Sequence, residues 1–305
     1  MDHFEKYLHD FTERLRILKY SKQSIKNYAY HLNQFFSWLA SQSVTDPRDV
    51  TEKLLTCYQS MLSASYNLNT IHLKLRSLKR FFSFLEETSR LLYNPAEKLT
   101  YPKLGNRLPK NILTVDEMKR LLAAPNIATS LGLRDRAILE LLYSTGLRLN
   151  ECTKLSIHDA DYKGGYLRVN FGKGTKQRVM PLGKKACDYL KRYLLIVRPK
   201  LTRNFPDVSA LFVMRQGTSR GLSAPALQVL IRKYGRQAKI KKQVSAHAIR
   251  RTFATHLLRN NAHPLYIQRL LGHATSETLK KYIKVTGTEV KATHKKTHPR
   301  EKDKR

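Results

Sequence analysis

Residues 246–260 read AHAIRRTFATHLLRN, and this stretch decides how the C-terminal half of the chain is organised. Its apolar residues recur at three- and four-residue spacing, which predicts an amphipathic helix with one face toward a core. His247 and Arg250 are three positions apart and therefore share a face near the start of this helix. A helix N-terminus presents free N–H groups and a positive dipole, so this face suits an anion. We expect His256, further along, to be structural.

Two further helices are predicted downstream of this stretch. Pro264 is a favoured first-turn residue and predicts a helix that ends at Gly272, with His273 directly after it. Ser276 then opens a short helix, SETLKKYIKV, with Tyr282 near its middle. A single tyrosine on a short helix is usually a core or surface residue, so only the neighbouring motifs make Tyr282 a candidate for chemistry.

Upstream, the apolar run over residues 133–143 predicts a buried helix that ends at Gly146. Arg148 and Glu151 follow it at a spacing of three. An arginine held at the end of a buried helix can direct its planar guanidinium at a phosphate oxygen, and Glu151 could orient it. The alternative interpretation is a plain surface ion pair.

The segments 166–171 and 177–182 are rich in β-forming residues, and Gly-Lys-Gly lies between them at 172–174. This pattern predicts a β-hairpin with Lys173 at its tip. A lysine there could reach a bound substrate and give a proton to a leaving oxygen. A solvated turn lysine is the alternative.

Together these motifs supply cationic or near-neutral donors and one hydroxyl nucleophile. The candidate catalytic residues are Arg148, Lys173, His247, Arg250, His273 and Tyr282. Preorganised cations at the non-bridging oxygens of a phosphodiester stabilise the charge that develops during attack. A general base takes the tyrosine proton, and a general acid supplies the leaving 5′ oxygen. Covalent capture on the tyrosine stores the bond energy, so a second DNA end can reverse the step without ATP. We expect no metal and no cofactor.

The composition favours a nucleic-acid partner. The chain has 57 Lys+Arg against 23 Asp+Glu, a formal net charge of +34, and a pI of about 10.2. A field of this size attracts polyanions. The chain has no apolar run of about 18 residues and no apolar signal core at the N-terminus, so we expect neither a membrane role nor secretion. Its three cysteines, Cys57, Cys152 and Cys187, form no CxxC pair, which fits a reducing cytoplasm. The expected location is therefore the cytoplasm, in association with the nucleoid.

Four apolar stripes at helical spacing within residues 1–90 predict a compact four-helix unit. Three prolines then indicate a basic linker, and Thr114 with Glu117 forms the pattern of a capping box that opens the second unit. The expected domains are a core-binding helical domain (1–93), a linker (94–112), a catalytic domain (113–286) and a basic tail (287–305). The candidate DNA-contacting residues are Lys74, Arg76, Lys79, Arg80, Lys176 and Arg251.

Over essentially its full length the chain resembles the tyrosine recombinases of the Xer/phage-integrase family. The segments TGLRLNE, GKGTKQRVMPL, HAIRRTFATHLL and LLGHATSETLKKY carry this resemblance, because they match the family pattern Arg, Lys, His-x-x-Arg, His/Trp, Tyr in the same order. The resemblance implies a mainly α fold with a small β-sheet. It implies an N-terminal helical SAM-like core-binding domain plus an α+β catalytic domain, which form a clamp on DNA.

The same resemblance implies a role for each candidate residue. Arg148, Arg250 and His273 would bind the scissile phosphate, and Glu151 would support Arg148. Lys173 would be the general acid, His247 would assist proton transfer, and Tyr282 would be the nucleophile.

The implied partner is double-stranded DNA. Four protomers would act on two sites through a Holliday junction, as a homotetramer or as a heterotetramer with a second recombinase. We expect no separate arm-binding domain, which favours a Xer-like or mobile-element enzyme for DNA integration, excision or resolution.

Three other classes make different predictions. A non-enzymatic DNA-binding protein explains the charge but not the ordered candidate residues. A metal-dependent transposase or nuclease requires a carboxylate cluster and loses activity in EDTA. A type IB topoisomerase has similar phosphotyrosine chemistry but relaxes DNA without strand exchange.

Overall fold

The computed structural model describes residues 2–102, 111–169, 177–214 and 221–272. The chain forms two compact units, Met1–Gly105 and Asn106–Arg305. Within the described ranges, no helix combines the length and apolar character needed to cross a membrane.

Four helices build the first unit, as the apolar stripes predicted. They are α1 (Asp2–Ile17), α2 (Lys22–Ser41), α3 (Glu52–Ser65) and α4 (Leu68–Glu87). The side chains of Ser21, Thr51 and Asn67 cap the last three helices by accepting a backbone N–H from the first turn. Aromatic rings fill the centre, where Phe11 lies edge-on to Phe81 with ring centroids 5.6 Å apart.

The segment after α4 packs on this first unit. Ala96 and Leu99 are buried in the same hydrophobic cluster as the four helices. Asn94 Oδ1 accepts the backbone N–H of Ala96 at 3.0 Å and fixes the turn between them. The predicted linker over 94–112 therefore begins with residues that belong to the core of the first unit, and the predicted domain bounds stay a proposal.

The described part of the second unit is built from helices and a small antiparallel sheet. Its helices are α5 (Val115–Ala123), α6 (Ser130–Thr145), α7 (Leu149–Thr153), α8 (Lys184–Arg192), α9 (Arg198–Leu201), α10 (Ala224–Gln237), α11 (Ala246–Arg259) and α12 (Pro264–Leu271). Helix α6 is buried along most of its length and packs against α5, α8 and α11. The predicted helices over 246–260 and from Pro264 are confirmed, and so is the capping box of Thr114 and Glu117.

The sheet has the order β1-β2-β3, with strands β1 (Ala160–Asp161), β2 (Tyr166–Val169) and β3 (Arg178–Pro181). The antiparallel pairing of β2 with β3 confirms the two arms of the predicted hairpin. Leu167 pairs with Met180 and Val169 pairs with Arg178, so these four residues share the inner face. Strand β1 was not predicted, because two residues give no detectable alternation.

The chain enters the second unit through a fixed anchor on α11. The backbone N–H of Leu113 donates to Thr252 Oγ1 at 2.9 Å, and the carbonyl oxygen of Leu113 lies 3.0 Å from His256 Nε2. On its other side, the ring of His256 lies 2.8 Å from the hydroxyl of Tyr143. The imidazole is held from both sides, as expected for a structural histidine.

Candidate active site

Helix α6 ends in a sharp turn that presents Arg148. Gly146 has φ of 61°, in the left-handed region, and its N–H closes the helix on the Leu142 carbonyl. Leu147 is fully buried and holds the chain down after this turn. Arg148 then stands at the N-cap position of α7 with its side chain 41% exposed. The turn thus fixes the backbone of Arg148 while its guanidinium faces solvent.

The buried carboxylate of Glu151 accepts two hydrogen bonds from Arg148. This carboxylate is 2% exposed and accepts the backbone N–H of Arg148 at Oε2 and the Nη1 of Arg148 at Oε1, both at 2.9 Å. Burial alone would raise the pKa of Glu151, but hydrogen bonds and charge from Arg178 and Arg148 leave this pKa below its usual value. The alternative of a plain surface ion pair is therefore wrong, since the acidic partner lies inside the protein.

Sequence reasoning gave no role to Arg178, which is the second partner of Glu151. Its Nη1 and Nη2 donate to Oε1 and Oε2 of Glu151 at 3.1 Å and 2.8 Å, a bidentate contact. Its Nε donates to the carbonyl oxygen of Leu270 at 3.1 Å. A signal was available, because strand alternation places residue 178 on the inner face, where a charge needs a buried partner.

Arg250 lies at the centre of the site and is 2% exposed. Its Nη1 donates to the carbonyl oxygen of Gly146 at 2.7 Å, and its Nη2 donates to that of Leu271 at 2.6 Å. Both acceptors lie where a helix ends at a left-handed glycine, Gly146 after α6 and Gly272 after α12. Arg250 therefore joins three predicted motifs: the Arg148 segment, its own helix α11 and the end of α12.

His247 lies one turn before Arg250, on the first turn of α11, where the residue contacts solvent although the surrounding protein partly buries its ring. The protein around the ring lowers its pKa below the usual 6.5, first through burial and then through the charges of Arg251, Arg250 and Arg148. The three arginines therefore act electrostatically on His247. A neutral imidazole in this field can accept a proton at neutral pH.

The remaining candidate catalytic residues and Lys176 are outside the described residues. Lys173 and Lys176 belong to 170–176, between β2 and β3, and His273 and Tyr282 belong to 273–305, after α12. Both segments adjoin, in sequence, described residues that belong to the site. Arg178 is the first residue of β3, and Leu271 is the last residue of α12.

The candidate DNA-contacting residues of α4 differ in exposure. Arg76 is exposed, whereas Lys79 and Arg80 are partly buried. Lys74 is only 3% exposed, hydrogen-bonds to Gln34 and lies 4.5 Å from the ring centroid of Tyr66. The position of Lys74 therefore fits packing inside the unit rather than contact with DNA. In the second unit, Arg251 on α11 is partly buried.

Two family models match consecutive parts of the chain. Residues 111–289 match the phage integrase family, and residues 7–89 match the N-terminal SAM-like domain of phage integrases. A helical SAM-like unit followed by an integrase catalytic unit is the class of protein that the fold and the site define. The chain belongs to the phage integrase family, and its predicted fold class is confirmed.

Relatives of known name are tyrosine recombinases. The chain is 36% identical over 301 residues to tyrosine recombinase XerC 2 of Ralstonia nicotianae, covering 96% of this chain and 86% of that protein. It is 34% identical over 294 residues to tyrosine recombinase XerD of Listeria innocua, covering 95% and 98% of the two chains. The family predicted from the four sequence motifs is thereby confirmed.

Solved structures agree with this assignment. The XerA recombinase is 28% identical, with a TM-score of 0.53 over 97% of this chain and 99% of that one. The XerH site-specific recombinase bound to a palindromic difH substrate is 22% identical, with a TM-score of 0.75 over 89% of this chain and 79% of that one. The XerH likeness is one of fold.

Proposed function

We propose that this protein is a site-specific tyrosine recombinase that cuts and rejoins DNA through a 3′-phosphotyrosine on Tyr282. One observation carries the proposal. Arg250 reaches across 104 residues of sequence to the turn that presents Arg148, so two predicted phosphate-binding arginines meet beside His247. A cationic site assembled in this way, in a chain related to tyrosine recombinases, suits a phosphodiester.

The proposed reaction begins when the scissile phosphate binds at the arginines. Arg148, half exposed and fixed by Glu151, directs its guanidinium at a non-bridging oxygen, with Arg250 and His273 as the other phosphate ligands. The Tyr282 hydroxyl oxygen then attacks phosphorus and loses its proton. The bond from phosphorus to the 5′ oxygen breaks, and Lys173 gives that oxygen a proton.

His247 assists this proton transfer. Its lowered pKa keeps the ring neutral at neutral pH, so the ring can take up a proton as the tyrosine is deprotonated. Rejoining is the reverse of cleavage, with the 5′ hydroxyl of a second strand as the attacking group. The phosphotyrosine conserves the bond energy, so the proposed cycle needs no ATP, no metal and no other cofactor.

The proposed assembly is four protomers on two DNA sites, with a Holliday junction as intermediate. It is a homotetramer or a heterotetramer with a second recombinase. The proposed phosphate contacts in the described part of the chain are Arg76, Lys79 and Arg80 on α4 and Arg251 on α11. Lys176, which lies outside the described residues, is a further proposed contact. The proposed location is the cytoplasm, on the nucleoid.

Covalent capture tests the function. Purified protein is incubated in EDTA with nicked duplexes tiled along the source chromosome, starting beside its own gene, and adducts are resolved on a denaturing gel. We expect an adduct that requires Tyr282 and tolerates EDTA. Tyr282→Phe removes the nucleophile. Tyr266→Phe, at an exposed tyrosine on α12, is the matched control and should leave the adduct intact.

The other outcomes identify the rival classes. An adduct that persists in Tyr282→Phe contradicts the assignment of the nucleophile. Binding without any adduct along the whole chromosome indicates either that a second recombinase is required or that the protein is a non-enzymatic DNA-binding protein. Cleavage that is lost in EDTA favours a metal-dependent nuclease, and relaxation without strand exchange favours a topoisomerase.

A further inference from the structure

Arg178 is a buried basic residue that the reaction proposed above does not use. Its side chain is 13% exposed and lies on the inner face of the hairpin, where Arg178 pairs with Val169 and stands two residues before Met180. An apolar residue would satisfy this position by alternation alone. A buried guanidinium is costly unless its donors are paired, so its presence calls for a specific role.

The contacts of Arg178 join three segments of the site. The Nη1 and Nη2 of Arg178 donate hydrogen bonds to both carboxylate oxygens of Glu151, and its Nε donates to the carbonyl oxygen of Leu270 near the end of α12. A Cβ built on Gly272, the residue before His273, would lie 3.3 Å from Nη1 of Arg178. One side chain therefore links the hairpin, the partner of Arg148 and the end of α12.

Glu151 contacts Arg148 and Arg178 through the same two carboxylate oxygens. Its carboxylate holds Arg148 through one backbone and one side-chain hydrogen bond, both in the same short helix. The bidentate contact from Arg178, which comes from strand β3, restrains the plane of that carboxylate from outside α7. Arg148, whose side chain is 41% exposed, receives its direction through this plane.

We propose that Arg178 is a positioning residue for strand cleavage, which sets the direction of the Arg148 guanidinium through the shared carboxylate of Glu151. The proposal rests on the recombinase function proposed above. Misplacing a phosphate-binding group by about 1 Å lowers a rate by on the order of 100-fold, and this sets the expected size of the effect.

The test measures single-turnover formation of the covalent adduct on a nicked duplex identified by the capture experiment. Arg178→Met should lower the rate by about 10- to 100-fold, while DNA affinity changes less than about threefold. Arg178→Lys keeps the charge but removes the planar fork, and should restore less than half of the missing activity on a logarithmic scale. Arg168→Met, an exposed arginine paired with Val179 on the outer face of the same hairpin, is the matched control with an unchanged rate.

A double-mutant cycle separates positioning from a general structural role. In an Arg148→Ala background, Arg178→Met should lower the rate by less than about threefold, because the group that Arg178 positions is gone. If Arg178→Met only destabilises the fold, it lowers the cleavage rate equally in the wild-type and Arg148→Ala backgrounds. This result would overturn the proposal. Wild-type activity in Arg178→Met would overturn it too.

A second variant distinguishes a loss of folding from a loss of activity. If Arg178→Met is unstable, the double variant Arg178→Met, Glu151→Met removes both buried charges together, which is typically near neutral for stability. The proposal expects this folded variant to cleave as slowly as Arg178→Met, and full activity would contradict it. A wild-type adduct that persists in Tyr282→Phe would overturn the proposed phosphotyrosine function itself, which is distinct from a failure confined to the Arg178 variants.

Discussion

The Nη1 of Arg250 donates a hydrogen bond to the carbonyl oxygen of Gly146 at 2.7 Å, although 104 residues separate the two along the chain. The acceptor belongs to the left-handed turn that ends α6 and presents Arg148 two residues later. This hydrogen bond links the turn to the candidate phosphate site, so we expect the stability of the turn to affect activity.

Replacing Gly146 should reduce both the stability of the fold and the activity. A Cβ at this position would meet Phe253 Cδ1 at 2.5 Å, and alanine is strained at φ of 61°. We expect Gly146→Ala to lower the free energy of unfolding by about 2–5 kcal/mol, the sum of left-handed strain and overpacking. Urea denaturation followed by circular dichroism measures this decrease.

Gly165→Ala is the control for that measurement. Gly165 also has a positive φ, of 73°, but its nearest contact for a Cβ is the Leu182 carbonyl oxygen at 3.9 Å. Only the strain of about 1–2 kcal/mol should appear there. Equal decreases in the two variants would contradict the clash with Phe253.

Two threonines on α11 should respond in opposite directions to valine. Thr252 Oγ1 accepts the buried N–H of Leu113, so Thr252→Val should cost about 1–3 kcal/mol for an unpaired donor. The fully buried Thr255 Oγ1 has no hydrogen-bond partner among the described residues, so Thr255→Val should be neutral or stabilising by about 1 kcal/mol. Thermal unfolding of both variants checks the pair. Destabilisation of Thr255→Val as large as that of Thr252→Val would refute the anchoring of Leu113.

Much of the fold could be predicted from sequence, because local patterns determine it. The helices that carry His247 and that begin at Pro264 follow from periodicity and from Gly and Pro signals. The sequence also placed Arg148, Arg250 and Glu151 in one site, through family resemblance.

The sequence could not predict which residues from distant segments contact each other. The pairing of Arg178 with Glu151 depends on how the hairpin packs against α7, and periodicity within one segment carries no information about that packing. The burial of Lys74 likewise depends on Gln34 and Tyr66 from neighbouring helices, so its charge alone suggested a DNA contact.

Glu151 should make stability depend on pH in the acid range. Its folded-state pKa lies below the usual 4.5, so the stabilisation it provides is present above about pH 4.5 and is lost as pH falls through the lower folded value. Glu151→Gln removes a buried carboxylate that faces Arg178 and should cost about 3 kcal/mol at pH 7. Urea denaturation from pH 3 to 7 should show the difference from wild type shrinking on the acid side.

Asp116→Asn serves as the control in that titration. Asp116 is exposed and pairs with Lys119 at 3.7 Å, so its removal should change the unfolding free energy at pH 7 by less than about 1 kcal/mol. A Glu151→Gln difference that stays constant down to pH 3 would contradict the lowered pKa.

His247 should titrate below 6.5 in the free protein. Burial is the largest cause of its lowered pKa, and the charge of Arg251 follows. Arg251→Gln should therefore raise the pKa of His247, which nitrogen-detected NMR of the imidazole can follow. His256, whose pKa is also lowered mainly by burial and which is affected by Arg259 instead, is an internal control that should not move. An unchanged His247 in Arg251→Gln would remove this arginine from the electrostatics of the site.

The salt dependence of DNA binding should distinguish Arg76 from Lys74, two of the basic residues of α4. Removing one protein–phosphate contact lowers the slope of log affinity against log salt by about 1, because fewer counterions are released. Arg76 is exposed, so Arg76→Gln should reduce the slope by about 1. Lys74 is 3% exposed and its pKa is lowered by burial, so Lys74→Met should leave the slope unchanged. Fluorescence anisotropy with a labelled duplex between low and physiological salt measures both. A reduced slope in Lys74→Met would show that this lysine leaves its pocket to reach DNA, and would contradict its assignment to packing.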